Sequence, residues 1–182
     1  MYRQMLACFA ALCSSALVGA AQPAATMDTP LALNAAFAFT ARVEVGAPIV
    51  AGHTPDGLRR FIPITGGTVT GSAFTGKVVP GAGDWQIVRS DGVISLEARY
   101  TLESVDGVKI AVTNRGLRVA SAAVTERIAR GDKVDASEYY FRTVATIEAP
   151  VDSRYAWMNQ ALFIGVAERR SDAAIVHFYQ LK

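Results

Sequence analysis

Charged side chains occupy alternate positions in two strand-like runs of this sequence, as expected for a polar wall inside a β-barrel. Glu97 and Arg99 share one face of the first run, because side chains in a strand alternate with a period of two. Arg142 and Glu148 share one face of the second run for the same reason. A carboxylate can transfer a proton and a guanidinium can stabilise an enolate or alkoxide, so these residues are candidates for acid–base chemistry.

A further carboxylate, Asp84, follows the turn at 80–83 and precedes a predicted strand. The predicted catalytic set is Asp84, Glu97, Arg99 and Arg142. The predicted ligand-binding set consists of aromatic, amide and carboxylate side chains from the same or neighbouring segments: Trp85, Asn114, Tyr140, Glu148, Trp157 and Asn159. We expect Glu97, Arg99, Arg142 and Trp157 to project into one cavity, with Asp84, Glu148 and Asn159 at its walls or mouth. Such a cavity would hold a small, partly apolar ligand with an oxygen-rich or anionic end.

The alternative is that these charged residues lie on the solvent face of a sheet. Cross-strand Glu–Arg pairs are common there and contribute only about 0.2–1 kcal/mol each. In that case Trp85 and Trp157 would be packing residues, and the alternation alone does not distinguish an inner face from an outer one. The basic pairs Arg59-Arg60 and Arg169-Arg170 are interpreted as solvated edges.

The elements that position these residues are predicted to be almost all strands. The dipeptides Asp91-Gly92 and Asp106-Gly107 lie between alternating runs, which is a strong hairpin signal. One helix is predicted over 121–130, with Ser121 as its cap and Gly131 as its stop. Residues 46–57 are predicted to form a loop, and the first strand places Phe37 on the same face as Phe39. The predicted strands are 31–45, 59–65, a short strand near 69, 77–79, 85–89, 93–103, 109–118, 139–148, 162–169 and 173–181.

This many hairpin-linked strands with one short helix predict an all-β protein, a single closed or nearly closed antiparallel barrel. A β-sandwich is the alternative fold.

The first 21 residues have the order of a secretory signal, with a charge at Arg3, an apolar run over 5–18 and small residues at 19–21. We predict a signal peptide over 1–21, a flexible leader over 22–30 and one domain over 31–182. Both cysteines, Cys8 and Cys13, lie in the signal, so the exported chain of 161 residues (182 − 21) would contain no cysteine and would have to be held together by core burial alone. Its expected location is the periplasm or the medium, and its formal charge falls from +2 to +1 when Arg3 is removed.

Several other functions are not supported by the sequence. Residues 71–77 spell most of a phosphate-binding loop, but Val78 stands where Ser or Thr is required and a strand follows instead of a helix. His53 and His177 are isolated from each other, so neither a metal site nor a cofactor is predicted. No basic run indicates nucleic acid, and the apolar run is short for a membrane span of about 20 residues, so stable membrane insertion is not expected. A homo-oligomer is left open.

Three stretches resemble a known family. Residues 64–107, the motif YYFRT at 139–143 and the motif YAWMN at 155–159 resemble the core of the bacterial and fungal family catalogued as domain of unknown function 3237. The resemblance covers most of the chain after Leu31. It implies an uncharacterised small β-barrel, and it favours the interpretation that the polar strand faces point inward. Barrels of the calycin-like or allene-oxide-cyclase-like kind are architectural analogues only.

Two classes of function follow. The first is a cofactor-free isomerase, cyclase, lyase or dehydratase that uses a carboxylate as acid and base and an arginine to stabilise negative charge. The second is a non-catalytic ligand-binding or structural protein with the same residues. A carboxylate with a raised pKa in an enclosed pocket would favour the enzyme.

Overall fold

A computed structural model describes residues 32–182, in which ten strands and one α-helix form a single unit over Leu33–Lys182. The strands are β1 Ala35–Val45, β2 Ile49–Thr54, β3 Gly57–Thr70, β4 Gly76–Val78, β5 Ala82–Val88, β6 Ile94–Ser104, β7 Lys109–Val119, β8 Tyr140–Glu148, β9 Phe163–Arg169 and β10 Ala173–Leu181. The helix α1 spans Ala122–Ala129, and 3₁₀ turns occupy Ala136–Glu138 and Ala156–Gln160. The predicted signal peptide and leader lie outside the described residues.

The sheet closes on itself. From β5 the strands β6, β7, β8, β9, β10 and β1 pair in order, every pair antiparallel, and β1 then pairs with β3. Strands β2 and β5 flank the first half of β3, whereas β1 and β4 flank its second half. β1 and β2 together occupy one strand position beside β3, and β4 and β5 together occupy one position on its other side. Counted in this way, the ten strands form a closed eight-stranded antiparallel barrel. The barrel prediction is confirmed, and the sandwich alternative is wrong.

Strand β3 can serve four neighbours because it bends at two glycines. Gly66 and Gly67 have φ values of +144° and +138°, which residues other than glycine rarely adopt. A Cβ atom on Gly67 would lie 1.9 Å from the carbonyl oxygen of Arg42. The sequence predicted two strands here, at 59–65 and near Val69, but the glycine bend joins them into one.

Two local predictions were wrong. Residues 46–57 were predicted to form a loop but contain β2, whose pairing with β3 continues the position of β1. Phe37 was predicted to lie on the same face of the strand as Phe39, yet it is 49% exposed whereas Phe39 is 1% exposed. The register of β1 against β10 shifts between these two residues, and this bulge reverses the direction of Phe37.

The two ends of the barrel differ in composition. One end is filled with apolar side chains, including Phe39, Phe74 and Phe178, with ring centroids of Phe39 and Phe178 only 4.9 Å apart. At the other end, α1 contributes Thr125 and Ile128 to the mouth of a cavity. The backbone amide of Val124 donates to the Ser121 hydroxyl, as predicted for the helix cap. Because one end of the barrel is filled by apolar side chains and the other is covered by α1, the space for a ligand lies between these two ends.

Candidate functional site in the barrel lumen

The inner wall of the barrel carries a set of polar side chains. Burial alternates along β6, where Leu96, Ala98 and Tyr100 are buried and the residues between them are more exposed, so these three face inward. The register across the sheet then fixes which residues of the neighbouring strands face inward as well. The inward polar residues include Arg60 on β3, Asp84 and Gln86 on β5, Tyr100 on β6, Asn114 and Arg118 on β7, Thr143 on β8 and Arg169 on β9.

A cavity of about 480 Å³ lies at the end of the lumen that α1 covers. Its polar wall is formed by Asp84, Gln86 and the guanidinium groups of Arg60, Arg118 and Arg169, with Ser171 and Asp172 also in the lining. The rest of the lining is largely apolar, with Ile62, Val88, Ile94, Leu96, Phe141 and Ile128 among its residues. This volume and this mixture of apolar wall and few polar groups are typical of sites for small molecules.

A chain of hydrogen bonds orients the Asp84 carboxylate. The Arg60 Nε–H donates to Gln86 Oε1 at 2.9 Å, and the Gln86 Nε2–H donates to Asp84 Oδ2 at 2.5 Å. The other carboxylate oxygen, Asp84 Oδ1, is buried and has no hydrogen-bond partner among the described residues. Because Oδ2 accepts from Gln86, a proton on this carboxyl group would be held at Oδ1.

The electrostatics of the lumen follow from its burial. Burial raises the pKa of Asp84, against the Gln86 hydrogen bond and the nearby charges of Arg60, Arg118 and Arg169, which lower it. Burial, assisted by the like charges of Arg60 and Arg169, lowers the pKa of Arg118 from its ordinary value to about 10. Three guanidinium groups therefore face the Asp84 carboxyl group, whose charged form burial disfavours, while Asp172 at the edge of the cavity pairs with Arg42. The lumen has an excess of positive charge and is suited to a ligand that brings a negative one.

The residues predicted to form the catalytic set are only partly brought together. Asp84 and the predicted ligand-binding residue Asn114 face the lumen. Glu97 and Arg99 do not: they lie on the outer face of β6, and the Arg99 side chain is 60% exposed. Glu97 accepts hydrogen bonds there from Arg99 and Arg115, which lower its pKa. The prediction that these two side chains point into the lumen is therefore wrong. The reason is that the apolar residues on the opposite face of β6, Leu96, Ala98 and Tyr100, occupy the core.

Arg142 is also outside the lumen. It follows the buried Phe141 on β8, donates to the Phe141 carbonyl oxygen and lies 5.3 Å from the ring centroid of Tyr140. Tyr140 and Glu148 share this outward parity and are exposed. Arg99 and Arg142 consequently do not meet in a shared cavity, and the prediction that they do is wrong.

Trp85, Trp157 and Asn159 occupy other surroundings. Trp85 is 46% exposed on the outer face of β5 and packs against Phe61, with ring centroids 5.2 Å apart. It lines a shallow outer groove of about 700 Å³ together with Glu97 and Arg99. Trp157 lies in the 3₁₀ turn at the apolar end, with its ring 6.0 Å from that of Phe163. Asn159 pairs with both backbone groups of Ala149, which is a structural contact.

The sequence interpretation missed the three arginines of the lumen. Arg60 and Arg169 were assigned to solvated edges because each stands in a basic pair, yet both line the cavity. Their parity was the available signal, since Arg60 alternates with Ile62 and Ile64, and both of these are buried. Arg118 likewise shares the inward parity of Val112 and Asn114.

Other kinds of site find no support in the part of the chain that the structure describes. Residues 32–182 contain no group of three or more His, Cys, Asp or Glu side chains arranged to hold a metal ion. Within the same range, no helix has the length and apolar character needed to cross a membrane.

Comparison with solved structures places this barrel among known proteins. A conserved protein of unknown function from Rhodopseudomonas palustris superposes with a TM-score of 0.81 at 36% identity, covering 85% of this chain and all of that one. A protein described as β-barrel like, from Acinetobacter baumannii, gives a TM-score of 0.73 at 36% identity, covering 86% of this chain and all of that one.

A more distant likeness extends to fungi. A protein of Penicillium herquei named as a hydroalkoxylation enzyme is 22% identical over 153 residues, which is 84% of this chain and 87% of that protein. The crystal structure of an enzyme from the same fungus superposes with a TM-score of 0.64 at 19% identity. The match covers 86% of this chain and all of the fungal chain, so the two share the fold. The barrel is thus a fold in which a distant relative is an enzyme.

Sequence comparison identifies the family directly. An UPF0311 protein of Bradyrhizobium diazoefficiens is 38% identical over 149 residues, which is 82% of this chain and 97% of the relative. The family model described as protein of unknown function (DUF3237) matches residues 33–181, nearly the whole of the barrel. The chain therefore belongs to the DUF3237 family.

Proposed function

We propose that the lumen binds a small, partly apolar ligand and that Asp84 acts on it as a general acid and base. The observation that carries this proposal is the Arg60–Gln86–Asp84 chain, which leaves Asp84 Oδ1 buried, unpartnered among the described residues and facing three arginines. A barrel that only had to fold would gain by filling this space with apolar side chains. Retaining three cations and one carboxyl group there supports a role in binding.

The positive charge of the arginines implies that they hold the anionic end of the ligand. Arg118 is 9% exposed, so its guanidinium is largely removed from water and is best stabilised by a hydrogen-bonded anion. An oxyanion of the ligand, such as a carboxylate or a phenolate, would replace that lost hydration. The apolar wall with Ile62, Leu96 and Phe141 would take the hydrocarbon part.

The carboxyl group determines the chemistry. With a proton on Oδ1, Asp84 can protonate a carbon or oxygen of the ligand, and the resulting carboxylate can then accept a proton from another ligand atom. The addition of a ligand hydroxyl across a carbon–carbon double bond fits this scheme. The carbon gains the Asp84 proton, the hydroxyl oxygen forms the new C–O bond, and the hydroxyl proton returns to Asp84. No cofactor is consumed, and the fungal relative named as a hydroalkoxylation enzyme supports the same class of reaction.

Export of the protein is part of the proposal. The charged, apolar and small-residue order of residues 1–21 supports a signal peptide, which would place the barrel in the periplasm or the medium. N-terminal sequencing of protein from those fractions tests this. A chain that still begins at Met1 and is found only in the cytosol would contradict it.

The function is tested with a ligand captured by the protein itself. Wild-type protein is incubated with a small-molecule extract of its source organism, and the retained compound is identified by native mass spectrometry. That compound is then incubated with wild type and with Asp84→Asn, and the products are separated by liquid chromatography. We expect wild type to convert it and Asp84→Asn to bind it with turnover lower by about 10²–10⁴-fold.

The two function classes give different outcomes in this experiment. A compound that wild type binds but leaves chemically unchanged supports the non-catalytic binding protein. Equal turnover by wild type and Asp84→Asn would remove Asp84 from the chemistry. Failure to retain any compound would contradict the proposal for the lumen as a whole.

A further inference from the structure

The segment 121–133 covers the cavity but is held only loosely to the barrel. It contains α1, and its residues in the cavity lining are Thr125, Ile128, Ala129 and Gly131. None of its residues is buried, and its contacts with the core come from the partly buried Val124 and Ile128. A region with few buried apolar contacts opens at a low cost in free energy.

The other segments at the rim of the cavity are tied to strands. The turn between β1 and β2 is fixed by Gly46, whose N–H donates to a carbonyl oxygen of β3 at 2.9 Å. The turn between β9 and β10 is fixed by Asp172, whose carbonyl oxygen accepts from the Val45 N–H at 2.9 Å and whose carboxylate pairs with Arg42. By contrast, no hydrogen bond in the described part of the chain joins residues 121–133 to a strand.

The surroundings of this segment determine how it can move. Ala120, directly before it, packs against the core, and Val134, directly after it, is 4% exposed. The helical hydrogen bonds and the Ser121 cap hold α1 together as one unit. Residues 130–133 are exposed and include Gly131 with a φ of +85°, which glycine adopts without strain. The helix can therefore swing about its junction with β7, and its C-terminal end moves most.

The C-terminal end of the helix meets the rim at two small residues. A Cβ atom on Gly131 would lie 3.8 Å from the Cβ of Ser171, and both residues line the cavity. The same cavity contains Asp84 and Arg118, and Arg118 is only 9% exposed. Because the two turns are tied to strands, the helix is the part of the rim that can move aside for a ligand.

We propose that residues 121–133 form a lid, which swings away from the β9–β10 turn to admit the ligand and then closes over it. This inference rests on the proposed function, because the ligand concerned is the one that Arg118 holds and Asp84 acts on. Closure brings Thr125 and Ile128 against the ligand and excludes water from the carboxyl group. Opening of the lid then limits how fast the ligand enters and leaves.

The test pins the lid to the rim with a disulfide. In a full chain without other thiols (Cys8→Ser and Cys13→Ser), the substitutions Gly131→Cys and Ser171→Cys place two cysteines at this contact. The Cβ separation of 3.8 Å is about the mean found in disulfides. The reduced form of the same protein is the matched control, since it carries the same substitutions and any strain at residue 131. The probe is cinnamate, an aromatic carboxylate of the proposed ligand class, and its binding rates are measured by surface plasmon resonance.

We expect the association and dissociation rate constants of the oxidised form to be at least about 10-fold lower than those of the reduced form. The affinity should stay within about threefold, because the closed state makes the same contacts with the ligand in both forms. Equal association rate constants in the two forms would overturn the lid and leave the proposed function intact. Failure of both forms to bind cinnamate would contradict the proposed ligand class instead.

A second measurement tests the lid without any ligand. Leu96 is 6% exposed and lines the cavity, so Leu96→Cys in the same thiol-free chain reports access to the lumen through its rate of alkylation by iodoacetamide. Adding Ile128→Ser, which removes an apolar contact of the lid, should raise this rate at least about threefold by raising the open fraction. Glu126→Ser is the control, because Glu126 lies on the exposed side of α1, and it should leave the rate within about twofold. An unchanged rate with Ile128→Ser, or an equal rise in both variants, would overturn the lid.

Discussion

The substitution Arg118→Met should stabilise the ligand-free barrel, because the arginine is retained for binding rather than for folding. Burial, together with the like charges of Arg60 and Arg169, lowers the pKa of Arg118 from its ordinary value to about 10. At about 1.36 kcal/mol per pKa unit, this lowering corresponds to roughly 3 kcal/mol by which burial and the neighbouring arginines together disfavour the charged side chain. Methionine removes the charge but keeps a flexible apolar stem in the same space.

We therefore expect Arg118→Met to raise the free energy of unfolding by about 1–3 kcal/mol, within the range found when buried ionic groups are replaced by apolar ones. For a domain of this size, each 1 kcal/mol corresponds to about 2–4 °C in the midpoint of thermal unfolding. Urea unfolding followed by circular dichroism measures the change, with the slope of the transition compared between the proteins.

Arg115→Met is the matched control for this experiment. Arg115 is on the same strand but faces outward, has a side chain that is 64% exposed and pairs with Glu97 at 2.7 Å. Its replacement should cost no more than about 1 kcal/mol, as for other exposed ion pairs. If Arg118→Met destabilises the protein more than Arg115→Met does, Arg118 is a structural residue and the reasoning is refuted.

Two further predictions concern the same lumen. Because burial raises the pKa of Asp84, the folded protein binds a proton at this residue more tightly than the unfolded chain does. Wild type should therefore lose stability relative to Asp84→Asn as the pH rises above about 3.9, the ordinary pKa of an aspartate. The loss is up to about 1.4 kcal/mol per pH unit and ends once the pH passes the folded pKa. Urea unfolding of both proteins between pH 4 and pH 7 measures this difference, and a constant difference would contradict the shift. Gly165→Ala should cost about 1–3 kcal/mol, because its Cβ would lie 2.1 Å from Thr143 Oγ1 and 2.9 Å from Val176 Cγ1. Gly46→Ala is the control for thermal unfolding, since its nearest contact would be an ordinary 3.6 Å, and an equal loss in both variants would show that the lumen glycine has no special role.

The sequence was sufficient to predict the barrel because its signals are local. Asp91-Gly92 and Asp106-Gly107 form the predicted turns, with φ values of +81° and +83° at the glycines. The helix after Ser121 has the predicted cap. These features depend on neighbouring residues only, so no knowledge of the tertiary structure was needed.

The site was harder to predict because it depends on which face of each strand is inside. The period of two showed that Glu97 and Arg99 lie on the same face of β6, but it did not show whether that face points into the barrel or to the solvent. In the structure the opposite face, with Leu96 and Tyr100, points into the core. Asp84 and Asn114 were correctly expected to line a lumen. Arg60 was missed because its neighbour Arg59 made the pair resemble a solvated edge, whereas a strand separates such neighbours onto opposite faces.

The central claim, that the arginines inside the barrel and not those on its surface hold the ligand, is tested most directly by the side-chain Nε–H signals of arginine. Protein labelled with ¹⁵N is titrated with cinnamate, and the signals of Arg118 and Arg142 are assigned from their loss in Arg118→Met and Arg142→Met. We predict a saturable shift of the Arg118 signal and an unchanged Arg142 signal, because Arg118 is buried in the lumen and Arg142 lies on the outer face. A saturable shift of Arg142 with no change at Arg118 would contradict the account.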